Sequence, residues 1–311
     1  MAEFTSKILI IGSGPAGYTA GIYAVRSGLE TILVSGSEIG GQLTLSENVE
    51  NFPGFIHTVP GSELMDNMQK QVNALGVKLM NDKIVEVDLH KRPFECSSEN
   101  HNVFYADSLI IATGASAKWL GLQSEEKYRG FGVSVCATCD GFFYRGKDVA
   151  VIGGGNSAVE EAIYLTNFAR AVTLVHRRDS LRADKRLQEK LFNNPQISVK
   201  YDCTVEDFVG LDNPSRLEGI RLKNVKTDKT EILKVDGVFV AIGHKPNTDI
   251  FKNQLDLDEN GYIKTIPGTT QTNIEGVFAA GDVQSPEFRQ AVIAAGSGAM
   301  AALEAVRFLS R

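Results

Sequence analysis

Apolar residues in this chain cluster in short runs closed by glycine-rich turns. Lys7 to Ile11 is a branched apolar run that ends in Gly12-Ser13-Gly14-Pro15-Ala16-Gly17, after which Tyr18 to Ser27 has the spacing of a helix. Runs this short, rich in β-branched residues and bounded by turn residues, predict strands. The same succession returns at Asp148 to Ile152, followed by Gly153-Gly154-Gly155-Asn156-Ser157-Ala158 and a predicted helix from Val159 to Asn167. Each copy reads strand, glycine turn, helix.

The repetition extends beyond the turns. The next strands, Thr31 to Val34 and Ala171 to Val175, lead to Ser35 and His176, each 23 residues beyond the first glycine of its turn. Each half then closes with an apolar strand and a small-residue turn, Leu109 to Gly114 and Val238 to Gly243. In such a turn the first glycine permits the tight bend, the second lets backbone approach a pyrophosphate, and the third lets helix pack closely on strand. Ala158 replaces the third glycine in the second copy, a permitted variant. Phosphate then sits at a helix N-terminus, where free N–H groups and the helix dipole favour negative charge. The expected fold is α/β, with two Rossmann-like, three-layer dinucleotide-binding domains.

The two strand ends differ in chemistry. An acid there normally bonds a ribose 2'-hydroxyl, whereas a nearby Arg accommodates a 2'-phosphate. The second copy has His176-Arg177-Arg178-Asp179, with Arg182 a turn further on. Permanently charged planar forks suit phosphate, so the second site is expected to take NADP(H) rather than NAD(H). The first copy has Ser35-Gly36-Ser37-Glu38 followed by Gly40-Gly41-Gln42-Leu43, with no arginine cluster. Near the C-terminus Gly276 to Gly281 forms another apolar strand and turn, and places Asp282 at a strand's carboxyl edge, where open α/β sheets bind ligands.

Composition narrows the class further. At 311 residues the chain is long enough for two domains, taking about 150 residues for each. Its 43% hydrophobic and 23% charged residues are ordinary for a folded globular protein. A formal charge of -6 with dispersed Lys and Arg offers no stripe for a phosphate backbone or anionic lipid, so no nucleic acid or membrane partner is expected. Apolar stretches such as Ala291 to Met300 fall short of a bilayer span, and the N-terminus lacks a secretory pattern. A cytoplasmic location is the expectation.

Of four cysteines, Cys136 and Cys139 form a CxxC, while Cys96 and Cys203 lie singly in strand-like segments and read as small core residues. In a reducing compartment a CxxC pair is redox-active or metal-binding more often than a structural staple. No Cys or His within ten residues supplies the second ligand pair that zinc normally needs. Redox chemistry is the better reading, and no metal site is expected.

The ordered series GSGPAG, GGQL, ATGA, CATCDG, GGGNSA, HRRD, AIGH and GVFAAGDV resembles the bacterial-type, low-molecular-weight thioredoxin reductases over essentially the whole chain. CATCD followed within fifteen residues by GGGN is the specific element. The resemblance implies an FAD-binding domain split between residues 1–116 and 246–311, with an NADPH-binding domain inserted at 117–245, and a homodimer. It implies FAD contacts from Gly12, Gly14, Pro15, Ala16, Gly17, the loop Ser35, Gly36, Ser37, Glu38, Ile39, Gly40, Gly41 and Gln42, and from Asn51, Thr113 and Gly114. Asp282, Arg289, Gln290 and Ala291 would complete that site. The acidic ribose ligand of larger flavoproteins is absent at Ser35, with Glu38 as the nearest substitute. NADPH would contact Gly155, Asn156, Ser157, His176, Arg177, Arg178, Arg182 and Ile242. Larger disulfide reductases carry their cysteines near the first turn and a catalytic His in a C-terminal domain; this chain has no Cys before Cys96 and its last His is His244.

The implied activity is reduction of oxidised thioredoxin by NADPH through FAD. Cys139 would face the flavin, Cys136 would attack the substrate disulfide, and Asp140 would exchange the proton. Because the CxxC and the second glycine turn lie in one segment, the inserted domain is expected to rotate between half-reactions. Its hinges would be near Ala115 to Lys118 and Gly243 to Asn247. Another disulfide partner, a redox-sensing binding module and a flavin reductase serving an iron–sulfur protein are the competing readings.

Overall fold

The computed structural model describes residues 1–311. The chain divides into two compact units, residues 1–116 with 244–311, and residues 117–243.

In the first unit, strand Glu3–Ile11 lies between Thr31–Val34 and Val103–Ile111, all parallel, with Lys78–Met80 beyond Thr31–Val34. Val277–Ala279 adds in parallel to Val103–Ile111, whereas Phe94–Ser98 and Ile84–Asp88 extend the other end antiparallel. Period-two alternation sends Ile8, Ile10, Leu33 and Ile110 to one face and Leu9, Ile11, Ile32 and Ile111 to the other. Helices Pro15–Arg26, Gly61–Ala74 and Ala291–Leu309 cover the first face.

The last helix is 19 residues long with mean hydropathy 1.5, so by length and composition it meets the requirement for a membrane span, contrary to the shorter run expected from sequence. The helix continues through Glu304 and Arg307, which interrupt the apolar run but not the helix. Its Ala294, Gly298, Ala301, Ala302 and Ala305 are buried in the unit's core. Gly298 approaches so closely that an ideal Cβ there would lie 2.1 Å from the Ala16 carbonyl oxygen. One face of this helix, carrying the small residues, is thus packed into the unit's core.

The second unit repeats the order. Strand Asp148–Gly153 lies between Ala171–Val175 and Gly237–Ala241, with Ile197–Lys200 outside the former, all parallel. Helices Asn156–Leu165 and Lys185–Phe192 contribute to one covering layer. The other face packs on an antiparallel sheet of Cys203–Asp212, Ser215–Asn224 and Thr230–Lys234 through Phe208, Leu217, Ile220 and Leu222. Both units are therefore Rossmann-like three-layer α/β folds in which antiparallel strands are inserted before the last parallel strand.

Candidate functional site

The CxxC lies in the second unit, and its cysteines are joined by a disulfide with Cα atoms 5.3 Å apart. Cys136 caps a single helical turn, Ala137–Asp140; its Sγ accepts from the Cys139 N–H at 3.2 Å. The turn buries Ala137 and leaves both sulfur-bearing residues only partly covered. Buried Ser134, which the sequence reading did not single out, ties this arrangement down. Its Oγ accepts from the Cys136 N–H at 3.0 Å and also bonds the Asp140 carboxylate. Burial raises the Asp140 pKa above the ordinary carboxylate range, an effect the Ser134 bond offsets in part. A carboxyl that holds its proton more readily than usual can act as donor and acceptor beside a dithiol. Burial and the nearby Asp140 and Asp236 also raise the Tyr144 pKa, which keeps that phenol neutral.

In the same unit, Gly155 caps helix Asn156–Leu165, and an ideal Cβ on Gly155 would meet nothing within 4 Å. The helix N-terminus thus opens on free space, as an approaching phosphate requires. The strand-end loop folds over this turn: Arg182 N–H donates to the Gly154 carbonyl at 2.7 Å, and Asn156 exchanges two hydrogen bonds with Asp184, at 2.8 and 2.9 Å. His176 is buried, its ring fills the space beside Gly154, and its Nε2 has no hydrogen-bond partner. Burial, with smaller contributions from Arg182 and Arg178, lowers its pKa. Arg177, Arg178 and Arg182 are exposed, as is Ser157, and Ile242 borders the neighbouring strand end. Three guanidiniums beside an open helix N-terminus fit a nucleotide carrying an additional phosphate.

The first unit gathers its predicted residues around the other glycine turn. Gly12 has φ +112°, and an ideal Cβ there would lie 2.3 Å from the Ala112 carbonyl oxygen. Gly14 caps helix Pro15–Arg26 and faces space open to 4 Å. The loop Ser35 to Gln42 returns to this turn through Ser13, a buried residue absent from the sequence expectation. Ser13 Oγ donates to the Ser35 carbonyl at 2.9 Å and accepts from the Gly40 N–H at 3.0 Å. Gly36, Gly40 and Gly41 all have positive φ, which explains the glycine content of that loop. Ser37, Glu38 and Ile39 are exposed at its tip, and Glu38 accepts from Gln42 at 2.6 Å. Asn51 donates to Gln290 Oε1 at 3.2 Å, and Gln290 caps the helix that begins at Ala291.

Thr113 and Gly114 lead from the last parallel strand, with Thr113 Oγ1 bonding the Asn247 carbonyl at 2.8 Å. Asp282 has its pKa raised to about 6 by burial, against a smaller opposing effect of Arg289. Arg289 has φ +48° and reaches His244 Nδ1 at 2.6 Å. A glycine cradle, an open helix N-terminus and a desolvated carboxylate at a strand edge fit an extended dinucleotide with a hydroxylated chain. Cys96 and Cys203, by contrast, are buried in strands with thiol pKa values raised by burial, to about 12 for Cys96.

Two dinucleotide-binding units, one bearing a redox disulfide, define a class. Residues 6–298 match the family described as pyridine nucleotide-disulphide oxidoreductase, and the chain belongs to it. A thioredoxin reductase of Rickettsia conorii is 54% identical over 309 residues, covering 99% of this chain and 100% of that protein. Among solved structures, a thioredoxin reductase from Giardia duodenalis superposes with a TM-score of 0.94 at 41% identity, covering 99% of this chain and 100% of the other. A Lactococcus lactis thioredoxin reductase in its FR conformation gives a TM-score of 0.65 at 39% identity, with 98% and 99% covered. Identity and coverage are nearly the same for these two structures, so sequence divergence does not account for the lower overlap. As a member of this family the chain is a flavoprotein that uses FAD and NADPH.

Proposed function

We propose that the chain reduces the disulfide of oxidised thioredoxin with NADPH, using FAD held by residues 1–116 and 246–311 and NADPH held by residues 117–245. The observation that carries this reading is the Cys136–Cys139 disulfide on one helical turn, with Asp140, its pKa raised by burial, beside it. When bound, the two cofactors supply a two-electron route from nicotinamide through flavin to a disulfide.

Gly12, Gly14, Pro15, Ala16 and Gly17 would hold the FAD pyrophosphate, with the Ser35 to Gln42 loop, Asn51, Thr113, Gly114, Asp282, Arg289, Gln290 and Ala291 around the rest. Gly155, Asn156 and Ser157 would hold the NADPH pyrophosphate, His176, Arg177, Arg178 and Arg182 its 2'-phosphate, and Ile242 would lie along the nucleotide.

Two electrons break the Sγ–Sγ bond and leave Cys136 and Cys139 reduced. The Cys136 thiolate attacks one sulfur of the substrate disulfide, forming a mixed disulfide and releasing the other substrate sulfur as thiolate. Cys139 then attacks Cys136 Sγ, which re-forms the protein disulfide and releases the second substrate thiol. Asp140 takes up and returns the proton that distinguishes thiol from thiolate. Phe142, three residues past Cys139 and half exposed, offers apolar contact to a protein substrate.

The second unit carries both the disulfide and the arginine loop, so we assign it a rotation between half-reactions, with hinges near Ala115 to Lys118 and Gly243 to Asn247. The exposed apolar residues Val292, Ile293, Met300 and Leu303 of the last helix support a homodimer. We place the protein in the cytoplasm, where a CxxC pair is kept in redox exchange.

The test follows NADPH oxidation with oxidised thioredoxin for wild type and Cys136→Ser. A yellow protein whose thioredoxin-dependent oxidation falls by about 10³-fold or more in the variant is expected. An NADPH-consuming yellow protein indifferent to thioredoxin would overturn the substrate assignment.

A further inference from the structure

Arg177, Arg178 and Arg182 are exposed and none of them forms an ion pair, although two acids lie on the same loop system. Asp179 follows Arg178 directly, and the Asp202 N–H donates to the Arg178 carbonyl at 3.1 Å. Carboxylates so placed would ordinarily pair with the guanidiniums and oppose an incoming phosphate. In this chain both turn to a single cation: Lys226 Nζ lies 3.3 Å from Asp179 Oδ2 and 3.0 Å from Asp202 Oδ2.

The lysine's position is fixed by the fold. It sits in the turn between strands Ser215–Asn224 and Thr230–Lys234. Asn224 Oδ1 gathers that turn, accepting from the Lys226 N–H at 3.1 Å, the Thr227 N–H at 3.0 Å and the Thr227 hydroxyl at 3.1 Å. Val225 N–H donates to the Asp202 carbonyl at 2.7 Å, and Cys203 N–H to the His176 carbonyl at 3.0 Å, so turn, strand start and arginine loop are connected through backbone. The antiparallel sheet that covers one face of the unit thereby delivers a charge to the edge of the nucleotide site.

We propose that Lys226 is a specificity-determining residue for the 2'-phosphate of NADPH, drawing Asp179 and Asp202 onto itself so that Arg177, Arg178 and Arg182 stay free for that phosphate. The hydrogen bond and charge of Lys226 also hold the Asp179 carboxyl below its ordinary range. This role rests on placing the 2'-phosphate at the arginine loop.

The experiment uses the full-length holoenzyme and two probes that need no turnover, adenosine 2',5'-bisphosphate and 5'-AMP, with binding measured by calorimetry at low and high salt. Lys226→Met is expected to weaken the 2',5'-bisphosphate two- to fivefold at low salt, the range of a surface charge interaction, and to leave 5'-AMP unchanged. The difference should shrink at high salt, as screening demands. The KM for NADPH should rise by a similar factor while that for NADH does not. Asp179→Asn added to Lys226→Met should recover part of the loss, because one of the two uncompensated charges is gone. Equal weakening of both probes, no weakening, or no recovery in the double variant would each overturn the proposal. Arg177→Ala, measured beside them, separates the two premises. If it leaves bisphosphate binding intact, the phosphate lies elsewhere and the proposal falls with that placement; if it weakens binding while Lys226→Met leaves it unchanged, only the role of the lysine is lost.

Discussion

The two nucleotide units share a strand order and a glycine turn, yet solve two local problems differently. In the first, the strand end is a buried Ser35 whose carbonyl is held by Ser13; in the second it is a buried His176 followed by unpaired guanidiniums. The third turn position differs as well, Gly17 in one and Ala158 in the other. The backbone pattern decides where a pyrophosphate lies, and the residues at the second strand's end decide which nucleotide it belongs to. What packs on the first helix decides how small the turn must be.

That last point makes the largest prediction. An ideal Cβ on Gly17 would lie 1.8 Å from the Gly12 carbonyl oxygen, a backbone atom that cannot step aside. The last helix, with Gly298 against Ala16, leaves little room for the first helix to retreat. Gly17→Ala is expected to cost about 3 kcal/mol or more in urea unfolding of the apoprotein, through overpacking. Ala158 is already accommodated in the second unit, fully buried in its core. Ala158→Gly should cost only about 1 kcal/mol, chiefly helix propensity and a lost methyl. Equal costs would mean that the two turns impose the same steric demand.

A smaller effect sharpens the strand-end contrast. Arg177→Ala and Arg182→Ala should each raise the KM for NADPH roughly tenfold, as loss of a charge-assisted hydrogen bond does, with little change for NADH. Steady-state rates with both nucleotides measure the ratio directly. Parallel losses for NADPH and NADH would place the arginines on the shared pyrophosphate.

The parallel strands were legible because their signal is local. Thr31–Val34 and Ala171–Val175 occupy the residues that their apolar runs predict. Strand Glu3–Ile11 begins before the apolar run at Lys7, because Glu3, Phe4 and Thr5 pair with Val103, Phe104 and Tyr105, far along the chain. Both helices start earlier than expected, at Pro15 and Asn156, since the end of each glycine turn is already the first helical turn. The antiparallel sheet of residues 203–234, with its bulges, gave no comparable periodic signal, and Lys226 gains its role only from that sheet's turn. The CxxC and arginine loop were readable as chemistry on adjacent residues. Ser13 and Ser134 were not, because a hydroxyl's partners lie in other segments or across a turn; the polar residue between Gly12 and Gly14 was the sole cue to Ser13.

A further predicted effect concerns the desolvated carboxyl that the first unit places at its strand edge. Desolvation raises the Asp282 pKa to about 6 from 3.8, with Arg289 opposing it. The native apoprotein therefore binds this proton more tightly than the unfolded chain. Asp282 contributes its full stability below the unfolded pKa and loses it as pH rises through about 6. The loss between pH 4 and pH 7 is at most on the order of 3 kcal/mol, from a shift of about two units. Asp282→Asn, which cannot ionise, should remove that slope, so the variant's stability relative to wild type should climb across the same interval and level off above it. Urea midpoints of both apoproteins at several pH values measure this difference. Parallel profiles would mean that Asp282 is solvated in the apoprotein, and that the contrast between the two strand edges resides in Ser35 and the arginines alone.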